Sequence, residues 1–353
     1  MTSKLTASVV GGGGGGKLSM NALVQSQRFE LVAAADINAK VCRQLQEAYP
    51  GIRTFAGHRE LFESRPTDVV CVSTWAPSHE EIALAALELP LKGILVEKPL
   101  GHTAESGRRI LQAVRARRLP LAVPHGLLAK KTPLEIIARV QAGEIGQLKL
   151  VEIQCARWDI INAGIHWLHF FVNLTGGEDV DSVMAACESS TRTYRDGMQV
   201  ETTAVTYAQT RSGVRVVMNT GDDVRVNRED KGTLFRIVGT AGLIEFWGWE
   251  NGYVLLNEQF PAGRLIEPEE FDVTGHRRHL EKLAAMIDSG EADYSMPETS
   301  LKALEMCEAT YLSSRHRCKV DFPLAGFRPP AESDWDPGRP YSGTGGGRDG
   351  RKL

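Results

Sequence analysis

Six consecutive glycines, Gly11 to Gly16, follow the apolar run Leu5–Val10 and lead into the helix-like stretch Lys17–Val24. Inside the run lies the spacing Gly11-x-Gly13-x-x-Gly16, and Asp36 ends the next strand-like segment twenty residues later. Strand, glycine turn, helix start and later acid in this register form the arrangement that binds dinucleotides. Gly11 allows the tight turn, Gly13 lets backbone approach a pyrophosphate, and Gly16 lets helix pack on strand. The N–H groups of the helix start then meet the phosphate charge. Asp36 is expected to accept hydrogen bonds from ribose hydroxyls and to repel a 2′-phosphate, favouring NAD over NADP. The plainer alternative is that it caps the helix beginning near Asn38.

Two further groups could move protons. Glu97-Lys98-Pro99 follows the apolar run Lys92–Val96, at the kind of strand end where ligands of open parallel sheets gather. A lysine in a closed pocket has its pKa lowered by desolvation and by nearby positive charge. His166 and His169 stand in the aromatic-rich stretch Gly164–Leu174. A neutral imidazole can take an alcohol proton, although an aromatic-flanked histidine on a helix also reads as core. His276 and His279 are three apart with no carboxylate or cysteine at metal-site spacing, so they read as a surface helix start and no metal is expected. Trp247 and Trp249 are of a type that either lines a sugar site or packs inside.

The elements needed to position these groups are legible. Leu5–Val10, Phe29–Ala35, Asp68–Ser73, Lys92–Val96 and Leu119–Val123 are bounded apolar runs of strand length. Between them, Asn38–Ala48, Glu80–Leu87 and Ala104–Arg117 carry helical spacing. This rhythm implies right-handed crossovers and a parallel sheet covered by helices on both faces. Beyond Pro124 come helices at Pro133–Gln141, Gly164–Leu174, His276–Ser289 and Pro297–Ser314. They accompany alternating β-branched runs at Leu148–Arg157, Ser182–Ser189, Glu201–Thr210, Val214–Thr220, Leu234–Gly239, Leu243–Phe246 and Tyr253–Leu256, which predict a largely antiparallel sheet. The expected fold is therefore an α/β Rossmann domain followed by an α+β domain with an open, mostly antiparallel sheet. The boundaries are 1–124, 125–326 and, for a Gly-, Pro- and Arg-rich C-terminal arm or tail, 327–353.

Four stretches in order give the sequence a resemblance to the glucose–fructose oxidoreductase, inositol dehydrogenase and rhizopine-catabolism (Gfo/Idh/MocA) family. They are the glycine loop with Asp36, Val72–Leu87 (VSTWAPSHEEIALAAL), Glu97-Lys98-Pro99, and Gly164–Gly176 (GIHWLHFFVNLTG). The resemblance implies a two-domain NAD-dependent dehydrogenase acting on a secondary or anomeric hydroxyl of a sugar, polyol or sugar derivative. It makes Lys98 and His166 catalytic, adds Ser73, Thr74, His79 and Glu97 to the cofactor-binding set, lets Pro99 take a cis linkage, and implies dimers or tetramers formed through the open sheet face. Asn162 stands where relatives carry an acid and His169 where they carry an aspartate. These two, with Asp159 and Trp75, are the expected substrate-binding residues. His125 replaces an Asn-Arg run, leaving Lys130 and Lys131 as the nearest cations.

Composition narrows the remaining classes. The 353 residues include 42% apolar and 24% charged ones, as in an ordinary globular protein of about two domains. Lys+Arg 41 against Asp+Glu 44 gives a net charge of −3, without the basic surplus a nucleic-acid or anionic-membrane binder needs. No run has the length of a membrane helix, the amino terminus lacks a signal-like apolar core, and the six cysteines form no CxxC pair. A cytoplasmic location is expected. Two rivals stay open at this level: a redox-assisted glycoside hydrolase that keeps its NAD, and a non-catalytic NAD- or sugar-binding regulator.

Overall fold

The computed structural model describes residues 4–188, 190–228, 230–273, 275–329, 338–340 and 347–348. They divide into two units, Met1–Ala129 with Asp272–Leu301, and Lys130–Phe271 with Lys302–Leu353.

In the first unit the alternation is β1 Leu5–Val10, α1 Gly14–Gln25, β2 Phe29–Ala35, α2 Ala39–Ala48, β3 Arg53–Phe55, α3 His58–Ser64, β4 Val69–Val72, α4 His79–Leu87, β5 Gly93–Val96, α5 Ala104–Ala116 and β6 Leu121–Ala122. All six strands pair in parallel, in the order β3-β2-β1-β4-β5-β6. The order reverses between β1 and β4, the switch point beside which open α/β sheets bind ligands. The central strands β4 and β5 carry no polar side chain because both faces are covered. Val70 and Val72 face one core with Ile82, Ala83 and Ile110, while Val69 and Cys71 face the other with Met20 and Leu23.

That second core corrects the expected division at 124/125. Leu280, Leu283, Ala284 and Met286, from helix Gly275–Ser289, pack into it beside Leu5, Ala7 and Val9. The amphipathic stripe of a helix far along the chain thus completes the first sheet, and residues 272–301 return to that unit.

The second unit holds a nine-stranded sheet. Its order is Arg264–Ile266, Tyr253–Asn257, Gly242–Phe246, Thr233–Gly239, Leu148–Ala156, Arg215–Gly221, Thr203–Thr210, Val180–Cys187 and Val320–Asp321. Only the pairing of Leu148–Ala156 with Arg215–Gly221 is parallel; the rest are antiparallel. Helix Ile165–Leu174 is buried on nearly every side, with Phe170 against Phe235 and Phe246 at ring distances of 5.5 and 5.2 Å. Most strands alternate buried and accessible residues, so the fold is the α/β plus open α+β pair expected from the sequence. A small sheet joins Thr193–Arg195 to Met198–Val200 and to Gly347–Arg348. The described parts of the C-terminal arm therefore lie on their own chain; residues 330–337, 341–346 and 349–353 fall outside the described set. Among the described residues no helix is long and apolar enough to cross a membrane.

Candidate active site

In the first unit the glycine turn joins β1 to α1, with Gly13 as the residue before the helix. Gly11 has φ +101°, and a Cβ there would run into the Ser73 carbonyl; a Cβ on Gly16 would overlap the Gly11 carbonyl oxygen. Only glycine fits either place. Around Gly13 and Gly14, by contrast, a Cβ would meet nothing within 4 Å, leaving open space before the helix N–H groups. These residues fit the pyrophosphate of a dinucleotide, close packing at two glycines and free approach at the third. Gly12, which the spacing rule leaves unspecified, is also constrained, because its Cβ would strike Val41 and crowd Leu45.

Asp36 does not cap α2. Asn38 does, its Oδ1 accepting the Lys40 N–H at 3.0 Å. Asp36 instead accepts the Gly12 N–H at Oδ2 and the Asn38 N–H at Oδ1, both at 2.8 Å. Each oxygen retains a lone pair for a hydroxyl donor, so the carboxylate both ties the glycine turn and can receive a ribose. Ser73 is buried, with its Oγ 3.2 Å from Ser19 Oγ, and the Thr74 hydroxyl accepts from Ser78 at 2.8 Å. Trp75 follows with its side chain half exposed.

His79 departs from its expected cofactor role. The residue is fully buried, and Nδ1 and Nε2 each lie 2.9 Å from a backbone oxygen, those of Pro99 and Thr74. Burial holds its pKa below the ordinary value against the pull of those carbonyls. The neutral ring donates its one N–H to one of these carbonyls and packs between the turn after β4 and the turn after β5.

The peptide Lys98–Pro99 is cis, and the Lys98 side chain belongs to a half-buried residue at the carboxyl end of β5. Glu97 beside it is buried; Oε1 lies 2.7 Å from His276 Nε2, and Oε2 accepts the Lys98 N–H at 3.3 Å. Burial alone raises a carboxyl pKa, but the His276 hydrogen bond and the charges of His276 and Lys98 outweigh it and hold Glu97 low. His276 is the site residue that sequence reasoning missed, since nothing local announces a partner 179 positions earlier. His279 is buried, donates to the His125 carbonyl and has its pKa pushed down to about 4 by desolvation. His125 in turn meets Ser300 Oγ at 2.8 Å.

In the second unit a π-turn, Ile160–Gly164, precedes helix Ile165–Leu174. Asp159 caps it, with Oδ1 accepting Asn162 N at 2.8 Å and Asn162 Nδ2 at 2.9 Å, while Oδ2 binds Arg195 Nη1 at 2.6 Å. Asp159 is 2% exposed and spends both oxygens on these partners, so it anchors the turn instead of facing a substrate. Asn162 is held by that anchor. A second acid supports the same turn: Glu201 Oε1 accepts the Ile160 N–H at 2.7 Å and Oε2 the Tyr311 hydroxyl at 2.9 Å. Burial first, and the Asp159 charge second, raise the Glu201 pKa well above the usual carboxylate range.

His166 follows the turn, 8% exposed, edge-on to Trp249 at 5.2 Å. The two tryptophan candidates part here. Trp247 is buried and donates to Asn227 at 3.0 Å, whereas Trp249 is 42% exposed beside the histidine. His169 is fully buried against the Asn173 amide, which removes it from a substrate-lining role. Lys130 donates to the Trp249 carbonyl and Lys131 lies over the Phe271 ring; both have work within the unit. Among the described residues no three His, Cys, Asp or Glu side chains are placed to hold a metal ion.

Residues 5–125 match the family model described as oxidoreductase family, NAD-binding Rossmann fold (GFO_IDH_MocA). The match covers the six-stranded parallel sheet of the first unit, about a third of the chain. Among curated relatives, inositol 2-dehydrogenase of Klebsiella pneumoniae is 37% identical over 112 residues, 31% of this chain and 33% of that protein. The rhizopine catabolism protein MocA of Rhizobium meliloti is 27% identical over 199 residues, 52% of this chain and 61% of its own length. The matched stretches thus span between a third and three fifths of these relatives. An inositol dehydrogenase homologue from Azotobacter vinelandii, crystallised with NADH and myo-inositol, superposes with a TM-score of 0.77 at 18% identity, covering 91% of this chain and 98% of that one. At that identity the likeness is one of fold.

Proposed function

We propose that the protein is an NAD-dependent dehydrogenase that oxidises a secondary or anomeric hydroxyl of a sugar, polyol or sugar derivative. One observation carries the reading. The glycine turn, Asp36 and the Glu97-Lys98-Pro99 turn stand at the carboxyl ends of strands β1, β2 and β5 of one parallel sheet. This common edge supports reading Lys98 as the proton-handling group beside the dinucleotide. Bound NAD+ supplies the hydride acceptor.

Lys98 hydrogen-bonds the reacting hydroxyl and takes its proton, and His166 is the other candidate base. Asp36 sets the preference for NAD by leaving no room for a 2′-phosphate charge. Ser73, Thr74 and Glu97 shape the cofactor pocket, with His79 fixing the two turns that carry them. In the second unit His166, Asn162 and Trp249 are the substrate residues, Trp249 offering an aromatic face to sugar C–H groups. The inositol dehydrogenases among the relatives favour an inositol or a related ring polyol. The half-exposed face of the nine-stranded sheet, with Met184, Val205 and Leu265 between 48% and 57% exposed, pairs with a second copy of the chain. Light scattering that gives a monomer mass at micromolar concentration overturns that pairing.

The test of activity is NADH absorbance with NAD+ and a panel of inositols, aldoses and glycosides. A rise with one class, lost in Lys98→Ala, is the expected result. Aryl glycoside cleavage without net NADH moves the protein to the redox-assisted hydrolases, and tight NAD with neither activity moves it to the regulators.

A further inference from the structure

Two buried acids hold the π-turn Ile160–Gly164, and they do it in the same way. Asp159 gives Oδ1 to the backbone and side-chain N–H groups of Asn162, and Oδ2 to Arg195 Nη1 at 2.6 Å. Glu201 gives Oε1 to the Ile160 N–H at 2.7 Å and Oε2 to the Tyr311 hydroxyl at 2.9 Å. Each carboxyl thus has one oxygen on the turn and the other on a donor from elsewhere in the second unit. Arg195 stands 36 residues from Asp159, and Tyr311 stands 110 from Glu201. The position of each donor is therefore set by what packs on it.

The carboxyl-terminal arm packs on both. Arg195 ends the strand Thr193–Arg195, whose outer edge pairs with Gly347–Arg348, Gly347 opposite Tyr194 and Arg348 opposite Thr193. The return strand Met198–Val200 meets the arm as well. There the Gln199 N–H donates to the Arg339 carbonyl at 2.9 Å, the Gly338 N–H donates to the Gln199 carbonyl, and Met198 bridges Pro340. Gly338 also lies on the Tyr311 ring, since a Cβ placed on it would stand 3.6 Å from two ring carbons. A two-stranded hairpin is marginal in water, and a third strand steadies it. The arm thereby gives Arg195 a firm base, from which its guanidinium crosses the Trp158 ring at 4.5 Å to reach Asp159.

We propose that Arg195 is a positioning residue of the substrate turn and that the carboxyl-terminal arm is the strap that holds it on Asp159. Residues near the end of the chain would then set where Asn162 and His166 stand. The inference rests on the substrate role given to those two residues above. Without the strap the hairpin loosens, Arg195 leaves Asp159, and a buried carboxylate loses its cation. The turn then loses its anchor, and because it leads directly into helix Ile165–Leu174, His166 moves with it. A displacement of about 1 Å at a reacting group can cost about a hundredfold in rate.

The test compares the full chain with Arg195→Met, with Arg195→Lys, and with two shortened chains. One ends at Pro340, which takes away the strand Gly347–Arg348; the other ends at Phe327. Looseness of the turn is read without cofactor or substrate, as hydrogen exchange followed by mass spectrometry in peptides covering Trp158–His166. Exchange there should rise about tenfold or more in Arg195→Met and in both shortened chains. Arg195→Lys should undo most of that rise, and peptides of the glycine turn should keep the wild-type rate. With substrate, kcat/KM should fall by about ten- to a hundredfold while the Kd for NAD+ stays within about twofold. Arg195→Met placed in the chain ending at Pro340 should then cost no more than about twofold beyond Arg195→Met alone, whereas independent effects would multiply. Multiplied effects overturn the proposal, as does unchanged exchange at the turn, or a rise that is equal there and at the glycine turn. Should the chain ending at Phe327 fail to fold, the one ending at Pro340 carries the comparison. If the wild-type protein reduces no NAD+ while exchange at the turn rises as expected, the assigned activity fails and the strap stands.

Discussion

Each unit buries a glutamate beside its chemically important turn, and the two are treated in opposite ways. Glu97 is given cations, His276 at 2.7 Å and Lys98 next in sequence, and its pKa is held low. Glu201 is given only neutral donors, the Ile160 N–H and the Tyr311 hydroxyl, with Asp159 as a like-charged neighbour, and its pKa is raised. Burial costs both of them the solvation of a charge; what differs is the company. The first arrangement keeps a fixed negative charge near the dinucleotide cradle. The second favours the neutral carboxyl beneath the π-turn that leads to His166. Similar side chains under similar burial thus serve as a charge in one place and as a hydrogen-bonding brace in the other.

The largest effect is expected at the lysine next to the first of these glutamates. Lys98→Ala should cost about 10²–10⁴ in kcat, the usual range for a lost acid–base group, with NAD+ affinity little changed; a loss under tenfold removes Lys98 from the chemistry. Gly16→Ala comes next, because the added methyl overlaps the Gly11 carbonyl. The clash should cost about 1–3 kcal/mol of stability and most NAD+ binding, measured by denaturant titration and by calorimetry.

A pair of substitutions then tests the electrostatic contrast itself. The folded pKa of Glu201 lies above its unfolded value, so its stabilising contribution is complete below the unfolded pKa and is lost as pH rises through the folded one. Glu201→Gln should therefore gain stability relative to wild type between pH 5 and 8, by about 1–2 kcal/mol. The folded pKa of Glu97 lies below its unfolded value, so its contribution is present above the unfolded pKa and is lost as pH falls through the folded one. Glu97→Gln should be destabilising near neutrality by about 1 kcal/mol, a difference that shrinks towards pH 3. Parallel pH slopes for the two variants would sink the comparison. Trp249→Ala should have the smallest effect, a rise in KM of about three- to tenfold from one lost stacking face, with kcat and the pH profile kept; unchanged KM places the sugar elsewhere.

The two units were unequally legible. Leu5–Val10 and Phe29–Ala35 could be bounded to the residue because strands covered on both faces are mostly apolar runs between polar turns. The glycine turn was readable because its steric demands admit one residue type. Arg53–Phe55 and His58–Ser64 escaped notice, too short for any period to emerge. In the second unit the strands were visible, but the site was not. Asp159 was expected at the substrate, but Arg195 lies on its carboxylate, and Glu201 lies 41 positions from the backbone N–H it receives. Helix Gly275–Ser289 showed its apolar stripe in the sequence, but a stripe tells that a face is buried and not against what. Residue type and spacing reveal a site made by one turn; a site made by distant partners needs the fold.

The first unit's break into two stretches also has a consequence in time. Chains leave the ribosome amino end first, at 5–20 residues per second. Residues 130–271 are made between the sixth strand and the helix that covers Leu5, Ala7 and Val9. On the order of ten seconds therefore passes during synthesis with that apolar face of the nascent sheet bare. The cell meets this protein first as an unfinished surface, and whatever shelters nascent chains has its longest appointment there.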